Sequence, residues 1–163
     1  MNRILALSLL ALALSACGLQ PMYAGGSNGQ VAQGLAAVEV SPIQGKSGWL
    51  MQNALNDRLG IAGNPTPQYR LDVRLDDQIE GLGVLSDDTV GRERRILRAR
   101  YQLVDIVSGE ILLDRTSGAD AGIDVVSSEY ATIAAEDRAL ENLTQEVASR
   151  IVTQLSLVLR ERQ

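Results

Sequence analysis

The chain has no histidine, no phenylalanine and a single cysteine in 163 residues. Without His there is no Ser–His or Cys–His dyad, no imidazole metal ligand and no imidazole acid–base catalyst. One Cys allows neither an internal disulfide nor a multi-cysteine metal site. Aromatics amount to four Tyr and one Trp, so any core must be built from Leu, Val, Ile and Ala. These absences remove a large share of hydrolase and metalloenzyme mechanisms but do not exclude a carboxylate-only enzyme. The net charge of −5 and pI of about 4.7 mean that the whole molecule does not attract polyanions at long range. No nucleic-acid partner is expected, and an anionic ligand would need a local basic patch.

Hydrophobic residues make up 45% of the chain, enough for one domain with a buried core. Their first concentration is N-terminal. Arg3 precedes an apolar run from Ile4 to Leu14, broken only by Ser8. That run has the length of a signal-peptide core and is too short to span a bilayer permanently. It ends in Leu14-Ser15-Ala16-Cys17, which resembles the bacterial lipobox: an apolar residue, two small residues, then cysteine. The resemblance implies a diacylglycerol on the Cys17 sulfur, cleavage before Cys17 and acylation of the new amine. An ordinary secretory signal with a chance Cys is the alternative, but the only Cys of the chain sits where the lipobox puts it. Two or three acyl chains anchor a protein stably where one does not. In Gram-negative lipoproteins Asp after the cysteine often marks retention in the inner membrane; here Gly18 and Leu19 follow, which favours the outer membrane. Loss of residues 1–16 removes one basic residue and no acid, leaving 14 basic against 20 acidic side chains, a net of −6.

The expected organisation is a signal peptide at 1–16, a lipidated Cys17 with a flexible tether through 34, and one domain over 35–163. Gly25-Gly26-Ser27-Asn28-Gly29 marks the tether. Residues 35–43 read as a short strand. Residues 46–60 read as a helix, with Trp49, Leu50, Ala54, Leu55 and Leu59 at roughly helical spacing. Over 68–80, Tyr69, Leu71, Val73 and Leu75 alternate with Arg70, Asp72, Arg74 and Asp76, the period of a half-buried strand. A loop over 81–88 leads to a second long strand over 89–106. Its Leu97, Ala99, Tyr101 and Leu103 share one face; Ile96, Arg98, Arg100 and Gln102 share the other. Ser108-Gly109 forms a tight turn into a strand over 110–117 with Ile111 and Leu113 inward. From Glu129 to Arg162 an apolar stripe (Ile133, Leu140, Leu143, Val147, Ile151, Leu155, Val158) marks a long helix, with Ser127 or Ser128 as its cap. Strand, helix, three meandering strands and a helix predict the α+β class: two helices packed on one face of a largely antiparallel four-stranded sheet.

The candidate binding residues are basic. Arg92, Arg94, Arg98 and Arg100 share a face of the second long strand, and Arg95 faces the other way. Guanidinium suits bidentate phosphate contact. The plainer reading is a solvated strand face, with Asp72 and Asp76 of the neighbouring strand as ion-pair partners. The acids Asp76, Asp77, Glu80, Asp87 and Asp88 lack the position pattern of a calcium loop and read as a solvated loop. No cofactor, metal ligand or catalytic residue is expected.

At Cys17-Gly18-Leu19-Gln20-Pro21-Met22-Tyr23 the sequence resembles the lipopolysaccharide-assembly lipoprotein family LptE in its alphaproteobacterial form. Members there often begin Cys-Gly-aromatic/apolar-x-Pro-Leu-Tyr, from which Leu19 and Met22 depart conservatively. The similarity extends to the Tyr-Arg-Leu-Asp-Val strand at 69–73, the Ala99-Arg100-Tyr101-Gln102-Leu103 strand, and the region from Tyr130-Ala131 through Asp137, Ala139, Leu143 and Ile151. The resemblance implies two helices on a four-stranded sheet and a non-enzymatic lipoprotein. It would be held by its lipid in the inner leaflet of the outer membrane. There it would support and plug the large β-barrel LptD, which inserts lipopolysaccharide into the outer leaflet. Cys17 is the residue carried over; a contact of Arg92, Arg94, Arg98 and Arg100 with lipopolysaccharide or the barrel wall is read from the residues alone. Two other readings compete. One is an auxiliary lipoprotein of an ABC-type lipid transporter, which would travel with a permease instead of a barrel. The other is a small carboxylate-based cell-wall enzyme, which needs two acids at catalytic separation in a pocket.

Overall fold

The structure is a computed structural model that describes residues 29–60, 66–84 and 90–162. The signal peptide, the lipobox and Cys17 lie outside these residues, as do Asp87 and Asp88. Seven elements follow in order: α1 (Gln30–Ala36), β1 (Val38–Val40), α2 (Gly45–Leu59), β2 (Tyr69–Val84), β3 (Val90–Asp105), β4 (Ile111–Asp124) and α3 (Glu129–Glu161). The sheet order is β1-β2-β3-β4, with β1 parallel to β2 and the other pairs antiparallel. The α+β class and the largely antiparallel four-stranded sheet agree with the sequence. Among the described residues there are three helices where the sequence predicts two.

The third helix is α1. Residues 30–34 were assigned to the tether and 35–43 to a strand, whereas 30–36 are helical and only Val38–Val40 pair as strand. A seven-residue helix is too short to hold itself together in water. It is fixed by Leu35, which is buried in the core, and by packing against α3.

The core lies between the sheet and the helices. Leu71, Leu97, Ala99, Tyr101 and Leu103 project from β2 and β3 on the predicted face. Leu140, Leu143, Val147, Ile151, Leu155 and Leu159 of α3 meet them, with Met51, Ala54, Leu55 and Leu59 of α2 beside. Steps of three and four along α3 keep these side chains on one stripe. Three residues expected inside are outside: Trp49 is 64% exposed, Ile133 is 47% exposed and Ile111 is 54% exposed. On α2 the buried line passes through Gly48 and Met51 instead of Trp49. Gly48 has no room for a side chain, since a Cβ there would lie 2.6 Å from the Ile43 carbonyl oxygen. Ile133 lies toward the start of α3, seven residues before the fully buried Leu140. At Ile111 the β3–β4 register shifts between Leu103 and Val104, which turns Ile111 out while Leu113 stays in.

Ser128 is the N-cap of α3, but its hydroxyl makes no capping bond. Its carbonyl accepts from the amides of Ala131 and Thr132, both at 3.1 Å. The Ser108-Gly109 turn forms as expected. Gly109 takes φ 72° and its amide reaches the Asp105 carbonyl, while the Asp105 carboxylate accepts from the amides of Val107 (3.0 Å) and Ser108 (2.8 Å).

Candidate functional site: the helix-free face of the sheet

β2 and β3 are 16 residues long and β4 is 14. Even-numbered residues of β2, β3 and β4 project away from the helices, and there they form a lattice of charges. Strand pairing sets it: Asp76 opposite Arg98, Glu80 opposite Arg94, and Arg92 opposite Asp124.

Three of the four predicted arginines are ion-paired. Arg92 Nε lies 3.3 Å from Asp124, Arg94 Nη2 lies 2.8 Å from Glu80, and Arg100 Nη2 lies 3.0 Å from Asp114. Asp114 also accepts from Gln102 Nε2 at 2.8 Å. The expected partners, Asp72 and Asp76, are otherwise engaged. Asp72 takes Arg70 at 3.1 Å and the Ser41 hydroxyl at 2.6 Å, and Asp76 takes the Gln78 amide at 2.9 Å. Both act within their own strand or with the β1–α2 connection, so the arginines of β3 turn to Glu80, Asp114 and Asp124. Exposed pairs of this kind contribute little to stability, so they order the face more than they stabilise the fold.

Two arginines on this face have no partner among the described residues: Arg98, and Arg74 of β2. Arg74 lies directly opposite Arg100, and Arg98 is two residues from Arg100 on the same face. Arg74, Arg98 and Arg100 therefore form a contiguous cationic centre ringed by paired acids. Arg74 was read from the sequence only as one side of an alternation; the signal that marks it is its register with another arginine, which becomes visible once the hairpin is aligned.

β4 is shaped to receive these side chains. The sequence predicts a strand over 110–117, and the following Gly118-Ala119-Asp120-Ala121-Gly122 has weak strand propensity. The strand runs to Asp124. A Cβ at Gly118 would sit 3.2 Å from Arg98 Cγ and 3.1 Å from the Leu97 carbonyl oxygen, and one at Gly122 would meet the Arg92 guanidinium at 3.7 Å. The small residues let arginine stems lie flat across the sheet. Gly118 is tied from the other side too, because Arg150 of α3, paired with Glu146, donates to its carbonyl.

Arg95 faces the helices, as predicted, and is structural. Its Nε and Nη2 donate to the two oxygens of Asp77, both at 2.8 Å, and its Nη1 donates to the Glu136 carbonyl at 2.9 Å. The hydrogen bonds to Asp77 raise its pKa, against the opposing effect of burial. Among the described residues no group of three or more potential metal ligands occurs, and no helix is long and apolar enough to cross a membrane.

Asp105 and Asp114 hold the β3–β4 hairpin as carboxylates. The Ser108 amide pulls the Asp105 pKa down, and Arg100 followed by Gln102 pulls down that of Asp114. A folded-state pKa below the unfolded value gives stability that is present above the unfolded pKa, about 4, and lost as pH falls through the depressed value. Stability set by these groups should be flat above about pH 5 and decline below about pH 4. NMR titration should place both carboxyls below the ordinary value; a value at or above it for either would refute the assignment.

The family model described as "LptE: Lipopolysaccharide-assembly" matches residues 35–155. The chain belongs to the LptE family. Membership gives it the role of an envelope lipoprotein of lipopolysaccharide assembly, one that works with the lipopolysaccharide transport machinery and belongs to a non-enzymatic family. Solved structures show the same fold. A lipoprotein from Caulobacter crescentus shares 24% identity with this LptE-family chain, covering 83% of it and 98% of its own length, with a TM-score of 0.70. A minor lipoprotein from Acinetobacter baumannii (18% identity, 74% and 88% covered, TM-score 0.56) and the rare lipoprotein B from Shewanella oneidensis (10%, 73% and 91%, TM-score 0.54) follow. No curated protein matches the sequence.

Proposed function

We propose that this LptE-family chain is anchored through Cys17 in the inner leaflet of the outer membrane. There it supports and plugs the β-barrel LptD during lipopolysaccharide insertion. The observation that carries the reading is the helix-free face. Three long strands present a layer of charged side chains with no helix of the described residues over it, on a scaffold ordered by cross-strand ion pairs. The lumen of such a barrel is polar, so a plug must meet it with charge. The Arg74–Arg98–Arg100 centre holds two cations with no partner among the described residues, Arg74 and Arg98, and it is suited to phosphates of lipopolysaccharide or to acids of the barrel wall.

Affinity purification of the full-length lipidated protein from its own outer membranes tests the reading. A stoichiometric LptD-type barrel in the eluate is the expected result; inner-membrane transporter subunits without a barrel would overturn it. For the site, Arg74→Glu with Arg98→Glu should leave the thermal midpoint nearly unchanged, because both side chains are exposed and unpaired. It should weaken lipopolysaccharide binding or barrel recovery by about tenfold or more, the loss of one or two charge-assisted contacts. Unchanged binding and recovery would remove this face from the function.

A further inference from the structure

β2 is paired on one side only for most of its length. β1 runs beside Tyr69, Arg70 and Leu71 and ends; the Ser41 amide then bonds the Leu71 carbonyl at 3.0 Å before the chain leaves for α2. The N–H and C=O of one strand residue point to the same side, and the side alternates along the strand. Val73, Leu75, Asp77, Ile79 and Gly81 therefore aim theirs where Leu71 does, and no strand of the described residues lies there. A cavity of about 740 Å³ borders the first part of this edge, between Asp72–Leu75 and the segment Ser41–Ser47. On the helix side of the same stretch Leu75 is half-buried and Ile79 is 43% exposed. An open edge of this length is a template for another strand.

We propose that this edge pairs antiparallel with the same edge of a second copy of the chain, about a twofold axis through Asp77. The side-chain pattern is self-complementary in that register. Arg74 meets the second copy's Glu80, Asp76 meets Gln78 and Leu75 meets Ile79, each twice by symmetry. Moving the axis to Asp76 sets Asp72 against Glu80, and moving it to Gln78 sets Asp76 against Glu80. Both place like charges in direct opposition. At the axis itself Asp77 is neutralised within its own chain by Arg95, through the two contacts of 2.8 Å. Arg74 has no competing partner among the described residues. Glu80 holds Arg94 through Oε2, and its other oxygen can accept a second guanidinium. Leu75 against Ile79 removes the exposed Ile79 from water, and the ladder closes with Val73 against Gly81; beyond Val73 the edge is held by Ser41 and β1, so the second copy's strand leaves the ladder after Gly81. The inference does not depend on the proposed function.

Sedimentation velocity of the full-length mature protein in density-matched detergent, over a wide concentration series, tests it. A reversible monomer–dimer equilibrium is expected. Arg74→Glu and Glu80→Arg should each weaken it by about tenfold or more, since each sets like charges opposite at two symmetric positions. The combined Arg74→Glu/Glu80→Arg protein should dimerise again within a few-fold of the wild type. Circular dichroism on every variant separates this from misfolding, because Glu80→Arg also takes away the partner of Arg94, whereas Arg74→Glu disturbs no pair. A monomer at every concentration, including one whose edge is filled only by a strand of another protein, would overturn the proposal. So would a dimer indifferent to both reversals, or one not restored by their combination.

Discussion

Replacing Tyr101 by alanine should cost about 3–5 kcal/mol, the usual loss when a large aromatic is cut from a packed core. Tyr101 is the largest fully buried side chain among the described residues. It stands in the middle of β3, opposite Val73 on one side and Arg115 on the other, on the face that meets the helices. No other aromatic is among the buried residues of the core cluster; Tyr69 packs against it only as a partly buried neighbour. A domain of this size has only about 5–15 kcal/mol in total, so the variant would lose a large part of its stability. The urea midpoint should fall by about 2 M, given a slope of about 1–3 kcal/mol per molar. Tyr101→Phe is the control. The hydroxyl has no partner among the described residues, and burial raises its pKa, so removing it should cost less than about 1 kcal/mol. A small loss for Tyr101→Ala would mean that the sheet and α3 collapse onto the site, and that the core is less tightly specified than the burial implies.

That residue also shows how far the sequence could be read. The alternation Leu97, Ala99, Tyr101, Leu103 against Arg98, Arg100, Gln102 stated which face of β3 is buried, because period two leaves no other arrangement for a strand with one wet side. The spacing of Leu140, Leu143, Val147, Ile151 and Leu155 did the same for α3. What misled were segments whose structure is decided by neighbours. α1 has only Val31 and Leu35 to offer a core, and its helix depends on α3 being present. β4 beyond Ser117 has little strand propensity of its own, and it is strand because β3 extends beside it and carries arginines that need room over Gly118 and Gly122. Trp49 stands six residues before Leu55, off the stripe that Met51, Leu55 and Leu59 form at steps of four, so Met51 is buried instead.

The candidate site was legible to the same degree. Arg92, Arg94, Arg98 and Arg100 were placed on one face from alternation alone, and they share it. Which of them remain unpaired could not follow from alternation, since pairing depends on register. The offset of β2 against β3 brings Glu80 to Arg94 and sets Arg74 against Arg100; the offset of β4 brings Asp124 to Arg92. A one-residue change in either hairpin would have altered every pair. The unpaired cations are thus a product of hairpin geometry. This explains why Arg74, a lone arginine in a sequence of alternating charges, joins the centre while Arg92 and Arg94 do not.

Arg95→Ala should destabilise the fold by about 2–4 kcal/mol, somewhat below the figure for breaking a fully buried ion pair, because the side chains of Arg95 and Asp77 keep 12% and 19% of their exposure. The loss has two parts. The β2–β3 hairpin is released from the Glu136 carbonyl of α3, and Asp77 is left as a largely buried carboxylate without its cation. Arg95→Met combined with Asp77→Leu should recover most of the loss, since no buried charge remains. A double variant as unstable as the single would show that the pair acts by shape alone. The contrast with Arg98 on the opposite face is the underlying point: on one strand, three residues apart, one arginine is consumed in joining the sheet to its helix and the other is left unpaired.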